Sequence, residues 1–524
     1  MKISRKYAEI VIFVALYLTA IYLWTQPIQD NTLPYGEFDA ISHIQIADYM
    51  SQSDKSLVYL PPYIDLRYGD DNDYRPHTLW YHPPFHTNFA IMQIIGNERI
   101  VPIYLTNAIF ATAIIISVYF VIRRLFGFVP AILSALLIMF SPRDFMPFLW
   151  GQWPERLAYA FIPLILYCFY MYYTAYSDNN NKPIYIYLTA LFLAINMLIH
   201  PLVFFHSVFG LIVLAIFLAI KEKKFPFNFK HISISAIIII VMLAIFPLQT
   251  GNVINHFLQE SGGQTNSDFS RIFKWSFEPE RFEGSVPASY FSFKEMHGLW
   301  TMPFIALGIL FLAFRRERRD IFLLAWIVSL YLVLHRDFFG SMIFLHRSLS
   351  ASAHIFAPLT VIGMLSLSSI VKLPKNYNTY IKYALAIVFI FLAISINGKS
   401  AYPILKNAYS GLSKMNSAQF EVSEWLMKNT EIDENATIIG SLIFKRSRWM
   451  AAISQRPFNY FSTISLDDEK FLEHLNKDYF IVDYSDFILL NNKNAIAQLQ
   501  AFEAQILANY TLLYNKNNII VYKK

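Results

Sequence analysis

The sequence predicts a polytopic all-α transmembrane bundle of about eleven helices, with a small external α/β domain at its C-terminal end. Three observations predict it. The chain is 55% hydrophobic and only 15% charged, whereas soluble domains carry about 25% charged residues. Eleven apolar runs interrupt residues 8–397. Beyond them, residues 398–524 change character: charges become frequent and apolar runs become short.

The first run follows Lys2, Arg5 and Lys6 and ends in Tyr22-Leu23-Trp24. It lacks the small-x-small pattern of a signal-peptide cleavage site and nears the roughly 20 residues needed to span a bilayer. It reads as a retained membrane anchor. The runs are 8–25, 99–122, 127–140, 157–175, 183–200, 202–220, 231–248, 299–314, 320–335, 349–370 and 379–397. They lack the alternation of barrel strands, so helices satisfy their backbone polar groups. Run 127–140 is short for a span. Pro201 divides 183–220 into a helical hairpin or a kinked pair.

The basic residues set the orientation. With the N-terminus in the cytoplasm, seventeen Lys and Arg fall on the cytoplasmic ends and connections. The short external connections hold Arg143, Arg156, Arg336 and Arg347. That asymmetry follows the positive-inside rule and places a multi-pass protein in the cell membrane with its C-terminal domain external. It also explains the net charge of +6, which flanks apolar runs instead of forming a nucleic-acid patch. The lone cysteine, Cys168, excludes an internal disulfide. The expected domains are residues 1–397, with external loops 26–98 and 249–298, and residues 398–524.

The C-terminal domain reads element by element. Ser417–Asn429 predicts an amphipathic helix containing Trp425. Residues 436–441, 478–484, 510–514 and 518–523 read as strands, and 494–508 as a helix between strands. Two sequons, Asn435-Ala436-Thr437 and Asn509-Tyr510-Thr511, lie here.

Loop 26–98 concentrates the chemistry. It holds Pro34-Tyr35-Gly36-Glu37-Phe38-Asp39-Ala40-Ile41-Ser42-His43 and Tyr81-His82-Pro83-Pro84-Phe85-His86. Asp39 opens a helical stretch to Tyr49, and His43, four residues on, shares its face. A carboxylate and an imidazole so placed suit an acid–base pair, the orientation of a nucleophile, or a divalent metal ion. The structural alternative makes Asp39 a helix N-cap. Glu37 is a neighbouring acid. Pro83 and Pro84 hold His82 and His86 on a stiff element; the alternative is a helix start over 85–95. Trp150-Gly151-Gln152-Trp153-Pro154-Glu155-Arg156 offers an acid facing a substrate and a snorkelling arginine, or interfacial anchoring by two tryptophans. His335-Arg336-Asp337 through His346-Arg347 offers a phosphate contact at Arg347, or a membrane-boundary charge. His200, before Pro201, reads as a helix-corner cap.

These residues together resemble the GT-C superfamily of membrane glycosyltransferases. The resemblance rests on Gly36-Glu37-Phe38-Asp39 with His43, on Tyr81-His82-Pro83-Pro84-Phe85, on Arg347 before a span, and on the order of span, acidic loop, bundle and tail. It implies transfer of a sugar from a polyprenyl-phosphate-linked donor to a glycan, lipid or protein acceptor at the external face. It also implies that Asp39 activates the acceptor or holds a metal ion, that Glu155 is a second acid, and that Arg347 contacts the lipid phosphate. The chain departs from oligosaccharyltransferases in lacking Trp-Trp followed by Asp-Tyr-Gly, and from protein O-mannosyltransferases in lacking an adjacent Asp-Glu pair in the loop. The competing expectation is a non-catalytic polytopic protein, a transporter or a scaffold presenting the external domain. A transporter places ionisable residues at mid-membrane, and these runs are nearly free of them.

Overall fold

The computed structural model describes residues 5–29, 31–52, 82–225, 228–260, 297–334, 353–370, 375–407, 414–429, 432–433, 436, 438–441, 444–456, 458–460 and 478–524. Two compact units divide them. The first comprises Met1–Gln26, Asn107–Phe148 and Gln152–Lys406; the second comprises Pro27–Thr106, Leu149–Gly151 and Asn407–Lys524. The second unit thus groups most of the loop after the first apolar run with the tail, whereas the linear reading put that loop in the bundle domain.

The helices in chain order are α1 (Arg5–Trp24), α2 (Gln26–Gln29), α3 (Phe38–Gln52), α4 (Pro84–Gly96), α5 (Val101–Phe126), α6 (Phe128–Met139), α7 (Pro142–Trp150) and α8 (Trp153–Ser177). Then come α9 (Ile184–Ile199), α10 (Pro201–Glu222), α11 (Phe229–Ala244), α12 (Pro247–Glu260), α13 (Thr301–Arg315), α14 (Arg318–Leu334), α15 (Phe356–Ile370) and α16 (Lys375–Leu392). A π-helical turn, Ala393–Gly398, joins α16 to α17 (Lys399–Lys406). Within the described residues, each apolar run falls mostly on helix. Among the described residues, five helices are long and apolar enough to cross a membrane: Lys6–Trp24, Val101–Phe126, Trp153–Ser177, Pro201–Glu222 and Tyr377–Lys406. Two bent pairs, α6 with α7 at 45° and α11 with α12 at 105°, raise that number to seven if each pair is one span.

The short run 127–140 is half of the first bent pair. Twelve residues rise about 18 Å, less than the roughly 30 Å hydrocarbon core. Pro142 cannot continue the helical hydrogen bonding, and the Ser141 carbonyl instead accepts from the amides of Asp144 at 2.9 Å and Phe145 at 3.2 Å. At His200-Pro201 the chain turns back on itself. Asn196 Nδ2 donates to Ser207 Oγ at 2.7 Å, yet eleven residues along one straight helix would separate them by about 16 Å. His200 occupies the corner in extended conformation, but its side chain makes no capping bond.

Close packing inside the first unit depends on two glycines. A Cβ on Gly363 would lie 1.8 Å from the Phe304 carbonyl oxygen, and one on Gly308 2.4 Å from that of Leu359. Helices α13 and α15 therefore meet backbone to backbone, as small residues permit between apolar helices. Arginines that the sequence reading used only for orientation are paired. Arg318 forks onto Glu222 at 2.7 and 2.9 Å and reaches both Asp178 oxygens at 2.8 and 2.9 Å, joining three helices.

The second unit is built on a five-stranded sheet ordered β2-β1-β3-β5-β4. The strands are β1 (Ile438–Ser441), β2 (Phe458–Tyr460), β3 (Tyr479–Asp483), β4 (Thr511–Lys516) and β5 (Ile519–Lys523). The first three run parallel and β5 returns antiparallel against β3 and β4. Helix α18 (Ser417–Lys428) begins with a capping box between Asn416 and Gln419. Helices α19 (Phe444–Ser454), α20 (Ser485–Leu489) and α21 (Lys493–Ile506) follow in the tail. Phe480, Val482, Leu499, Phe502 and Leu507 form the core between sheet and α21. Residues from the first loop join this unit through a bridge between Tyr35 and Lys414, through the Met415 amide on the Pro34 carbonyl, and through Trp449 Nε1 on the Gly36 carbonyl at 3.3 Å.

Candidate functional site

In the second unit the polar residues of the first loop assemble on α3 and α4. The entry to α3 is fixed by two glycines in the left-handed region. Gly36 has φ +120° and Gly151 φ +103°; a Cβ on Gly151 would lie 2.3 Å from the Ala40 amide nitrogen. Segment Leu149–Gly151 therefore lies directly against the first turn of α3, and the Trp150 carbonyl accepts from the Glu37 amide at 2.9 Å. The Glu37 carbonyl accepts from Ala40 at 3.0 Å, which places Asp39 inside the first turn. Asp39 is thus not the residue preceding the helix, as an N-cap must be. It sits where a carboxylate favours the positive end of the helix dipole. Glu37 and Asp39 are both half-buried.

One turn further, the site is dry. His43 Nδ1 and His86 Nε2 are 2.9 Å apart, and both side chains are buried. One imidazole must donate and the other accept, so the pair carries at most one positive charge. Phe85 stands edge-on to both rings. The helix start at Pro84 follows Pro83, with proline where its missing N–H is harmless. His82, just before it, is buried, and burial lowers its pKa to about 4. It is neutral at physiological pH.

At the other end of α3, Asp48 is buried and receives Arg99 at 2.5 Å and Gln93 at 2.5 Å. Burial raises its pKa, against the lowering pull of Arg99. Arg99 also donates to the Ile453 carbonyl at 3.2 Å. This set ties α3 to the turn between α4 and α5 and to α19.

The first unit holds a separate polar cluster around the α6–α7 bend. Arg143, Asp144, Glu155 and Arg156 are all 0–1% exposed. Arg156 donates to Asp144 at 3.0 Å and lies over the Trp24 ring at 5.8 Å. Ser141 Oγ is 3.4 Å from His297 Nδ1. Burial, and secondarily Arg143, hold the His297 pKa well below its ordinary value. The π-helical turn contributes Asn397, which donates to the His297 carbonyl at 3.1 Å and accepts from Trp300 at 2.9 Å.

Several sequence expectations change here. Arg156 does not snorkel, because its guanidinium is sealed beside Asp144. Trp153 is no interfacial anchor: it is 1% exposed and donates to the Phe148 carbonyl at 2.8 Å. His43 and His86 are brought together; Glu155 belongs to the first unit and Asp39 to the second. Arg347, with His335-Arg336-Asp337 and His346, lies outside the described residues, as do most of loop 249–298 and Asn435. Sequence reading missed Asp48, Arg99, Asp144 and His297. Asp144 carried a signal, an acid beside Arg143 and twelve residues before Arg156, within reach once a helix bends. Among the described residues no group of three or more His, Cys, Asp or Glu side chains is placed to hold a metal ion.

Comparison with known proteins adds the family and the fold. No curated protein matches the chain in sequence. The archaeal oligosaccharyltransferase AglB from Archaeoglobus fulgidus, solved with an inhibitory peptide and a dolichol-phosphate, is similar over 99% of this chain and 74% of its own, at 15% identity and a TM-score of 0.60. ArnT from Cupriavidus metallidurans, bound to undecaprenyl phosphate, is similar over 98% of this chain and 97% of its own, at 12% identity and a TM-score of 0.53. Arabinofuranosyltransferase AftD from Mycobacteria covers all of this chain with 40% of its own, at 14% identity and a TM-score of 0.57. The fold is therefore GT-C-like. The model of a family of unknown function, DUF6541, matches residues 4–343, more than half of the chain. This protein belongs to the DUF6541 family.

Proposed function

We propose that this protein is a membrane glycosyltransferase that moves a sugar from a polyprenyl-phosphate-linked donor to an acceptor at the external face of the cell membrane. One observation carries the reading: the likeness to ArnT runs over nearly the whole length of both chains, and that structure holds undecaprenyl phosphate. In this reading the shorter apolar helices also cross the membrane, giving eleven spans with a cytoplasmic N-terminus and an external tail.

The proposed chemistry needs a base for the acceptor and a counter-charge for the leaving group. The acceptor hydroxyl oxygen attacks the anomeric carbon as the bond from that carbon to the phosphate oxygen breaks. The phosphate leaves with the electron pair, and the hydroxyl proton passes to the Asp39 carboxylate. Glu37, at the same helix entrance, is a neighbouring catalytic acid. Arg347 meets the departing phosphate with its planar fork. His43, His82 and His86 in the second unit bind substrate in this reading, and so does Glu155 in the first. The half-exposed position of Asp39 supports its role, because an acceptor must reach it.

The test is incubation of the purified protein with polyprenyl phosphates bearing different sugars, reading release of polyprenyl phosphate. Release from at least one donor, abolished by Asp39→Asn, is expected. No release from any donor, or release unchanged by that substitution, overturns the reading. The face is tested in a Cys168→Ala background: an impermeant thiol reagent on intact cells should label Ser417→Cys and not Asn180→Cys.

A further inference from the structure

We propose that Trp449 on α19 and Tyr104 in the first turn of α5 are positioning residues for Asp39: they grip the peptide units of Pro34–Glu37 and so fix the turn that carries the carboxylate. The positioning role rests on the catalytic reading of Asp39; the grip itself does not.

The backbone is buried at Pro34, Tyr35 and Gly36, and buried main-chain polar groups need partners. Helix α3 begins at Phe38, past this stretch. The partners come from residues remote in sequence, and they hold three successive peptide units. In the first, the Pro34 carbonyl accepts from the Met415 amide at 3.2 Å and the Tyr35 amide donates to Tyr104 Oη at 2.8 Å. In the second, the Tyr35 carbonyl accepts from that same hydroxyl at 2.5 Å. In the third, the Gly36 carbonyl accepts from Trp449 Nε1 at 3.3 Å and the Glu37 amide donates to the Trp150 carbonyl at 2.9 Å. The Tyr104 hydroxyl thus acts as acceptor and donor at once. Its ring is stacked on that of Tyr35, 4.4 Å between centroids and 13° between planes.

The third unit matters most, because glycine constrains it least. Gly36 has φ +120°, a conformation that glycine enters and leaves at little cost. A planar peptide unit held at both its oxygen and its N–H cannot swing about its flanking bonds. Trp449 and Trp150 hold this unit at both ends. The next carbonyl, that of Glu37, accepts from the Ala40 amide at 3.0 Å and the Ile41 amide at 3.4 Å. The first turn of α3 therefore takes its direction from the plane before it, and Asp39 stands on that turn.

The tail meets α3 at its far end too. Gln455 Nε2 donates to Gln52 Oε1 at 2.7 Å, and Arg99 links the Ile453 carbonyl to Asp48. Helix α19 and the residue after it are therefore tied to both ends of α3, as a splint is. Trp449 is fully buried, and a buried indole usually finds an acceptor for its N–H. Burial alone would make it a packing residue. The acceptor it meets separates positioning from packing: the carbonyl of a glycine with positive φ, three residues before Asp39.

Two substitutions test this in the full chain. Trp449→Phe keeps an aromatic ring in the core and removes the N–H; Tyr104→Phe keeps the stacked ring and removes the hydroxyl. Hydrogen–deuterium exchange reads the grip directly. Loss of one such bond should speed exchange of the Glu37, Ala40 and Ile41 amides about 10-fold, while the amides of β3 exchange as in the parent. Unchanged exchange at residues 37–41 in both variants overturns the proposal. So does a rise shared equally by β3, which would mean lost stability of the whole unit. Transfer kinetics read the consequence. Each variant should lower kcat about 10- to 100-fold, with KM near the parent value. In an Asp39→Asn background the same substitutions should cost nothing further, because no carboxylate is left to position. An equal loss in both backgrounds, or full kcat, refutes the positioning role. Absence of transfer by the parent protein counts against the catalytic reading and leaves the exchange result to decide the grip.

Discussion

Two acids nine residues apart on one helix stand in different surroundings. Asp48 is 1% exposed and enclosed by Arg99 and Gln93. Its carboxylate closes a link between α3, the α4–α5 turn and α19. Asp39, in the first turn, is half-buried at the end of the helix that Gly36 and Gly151 leave open to close backbone approach. An acid whose oxygens are enclosed by a cation and an amide has its chemistry fixed by them. A half-buried acid at a helix entrance keeps part of its surface in contact with the surroundings. The helix is thus anchored at its Asp48 end so that its Asp39 end can be held in place.

The largest expected effect breaks the Asp39 side of this contrast. Asp39→Asn keeps shape and hydrogen-bonding capacity but removes the ionisable group. General-base catalysis contributes about 100- to 10,000-fold, so sugar transfer should fall by that amount. The melting free energy should stay within about 1 kcal/mol, the scale of a helix-dipole interaction. Normal turnover by the folded variant would reduce Asp39 to a helix-start residue.

Asp48→Ala inverts the pattern. It leaves Arg99 with a partly buried charge facing a cavity. Removing one partner of a buried pair costs about 3–5 kcal/mol, so chemical denaturation should register a loss of that order. Turnover per folded molecule should change little. A comparable loss of turnover at unchanged stability would erase the distinction between the two ends.

The sequence shows some of this and hides the rest. Hydropathy locates the helices because a span must satisfy its backbone internally over a fixed thickness, and that leaves long apolar runs. Glu37, Asp39, His43, His82 and His86 stand out as candidates because polar residues are scarce in such a chain. Asp48 was hidden because Ile46-Ala47-Asp48-Tyr49 looks like any amphipathic turn, and its partner Arg99 is remote in sequence. Arg156 was misread because an arginine near a span end usually reaches for water; its burial depends on a bend that brings Asp144 alongside. The three-residue strand Phe458–Tyr460 is too short for alternation to register, and Phe444–Ser454 carries three basic residues in its first half that mask its buried Trp449. The pairing of the Tyr35 segment with Lys414 leaves no local trace at all, since nothing in either stretch encodes the other.

A third change sharpens the contrast by moving the entrance without touching an acid. Gly151→Ala places a methyl group where the Ala40 amide already stands, in a backbone conformation that L side chains rarely adopt. Strain of this kind costs about 1–3 kcal/mol. Relief requires the first turn of α3 to shift, and a displacement of about 1 Å can cost roughly 100-fold in rate. Transfer should therefore fall further than stability does, with kcat reduced more than KM rises. Gly151→Ala with full kcat would show that the close approach serves packing alone.

The smallest effect is absent at neutral pH and appears on acidification. His82 is buried near the His43–His86 pair in sequence and in the same unit, and burial lowers its pKa from 6.5 to about 4. In the unfolded chain it titrates near 6.5. Between those values the unfolded state binds a proton that the folded state excludes, so stability is complete above about pH 6.5 and declines as pH falls toward 4. The slope from one such group is at most about 1.4 kcal/mol per pH unit, and it levels off below pH 4, where both states are protonated. The comparison needed is parent against His82→Gln, which cancels the contribution of every other group. Subtracting their denaturation free energies from pH 7 to pH 4 isolates His82. The difference should be flat above about 6.5 and slope below it, with the variant less sensitive to acid. Parallel curves would mean that His82 accepts its proton in the folded protein as readily as in the unfolded chain, and would place it beside water instead of within the dry part of the site.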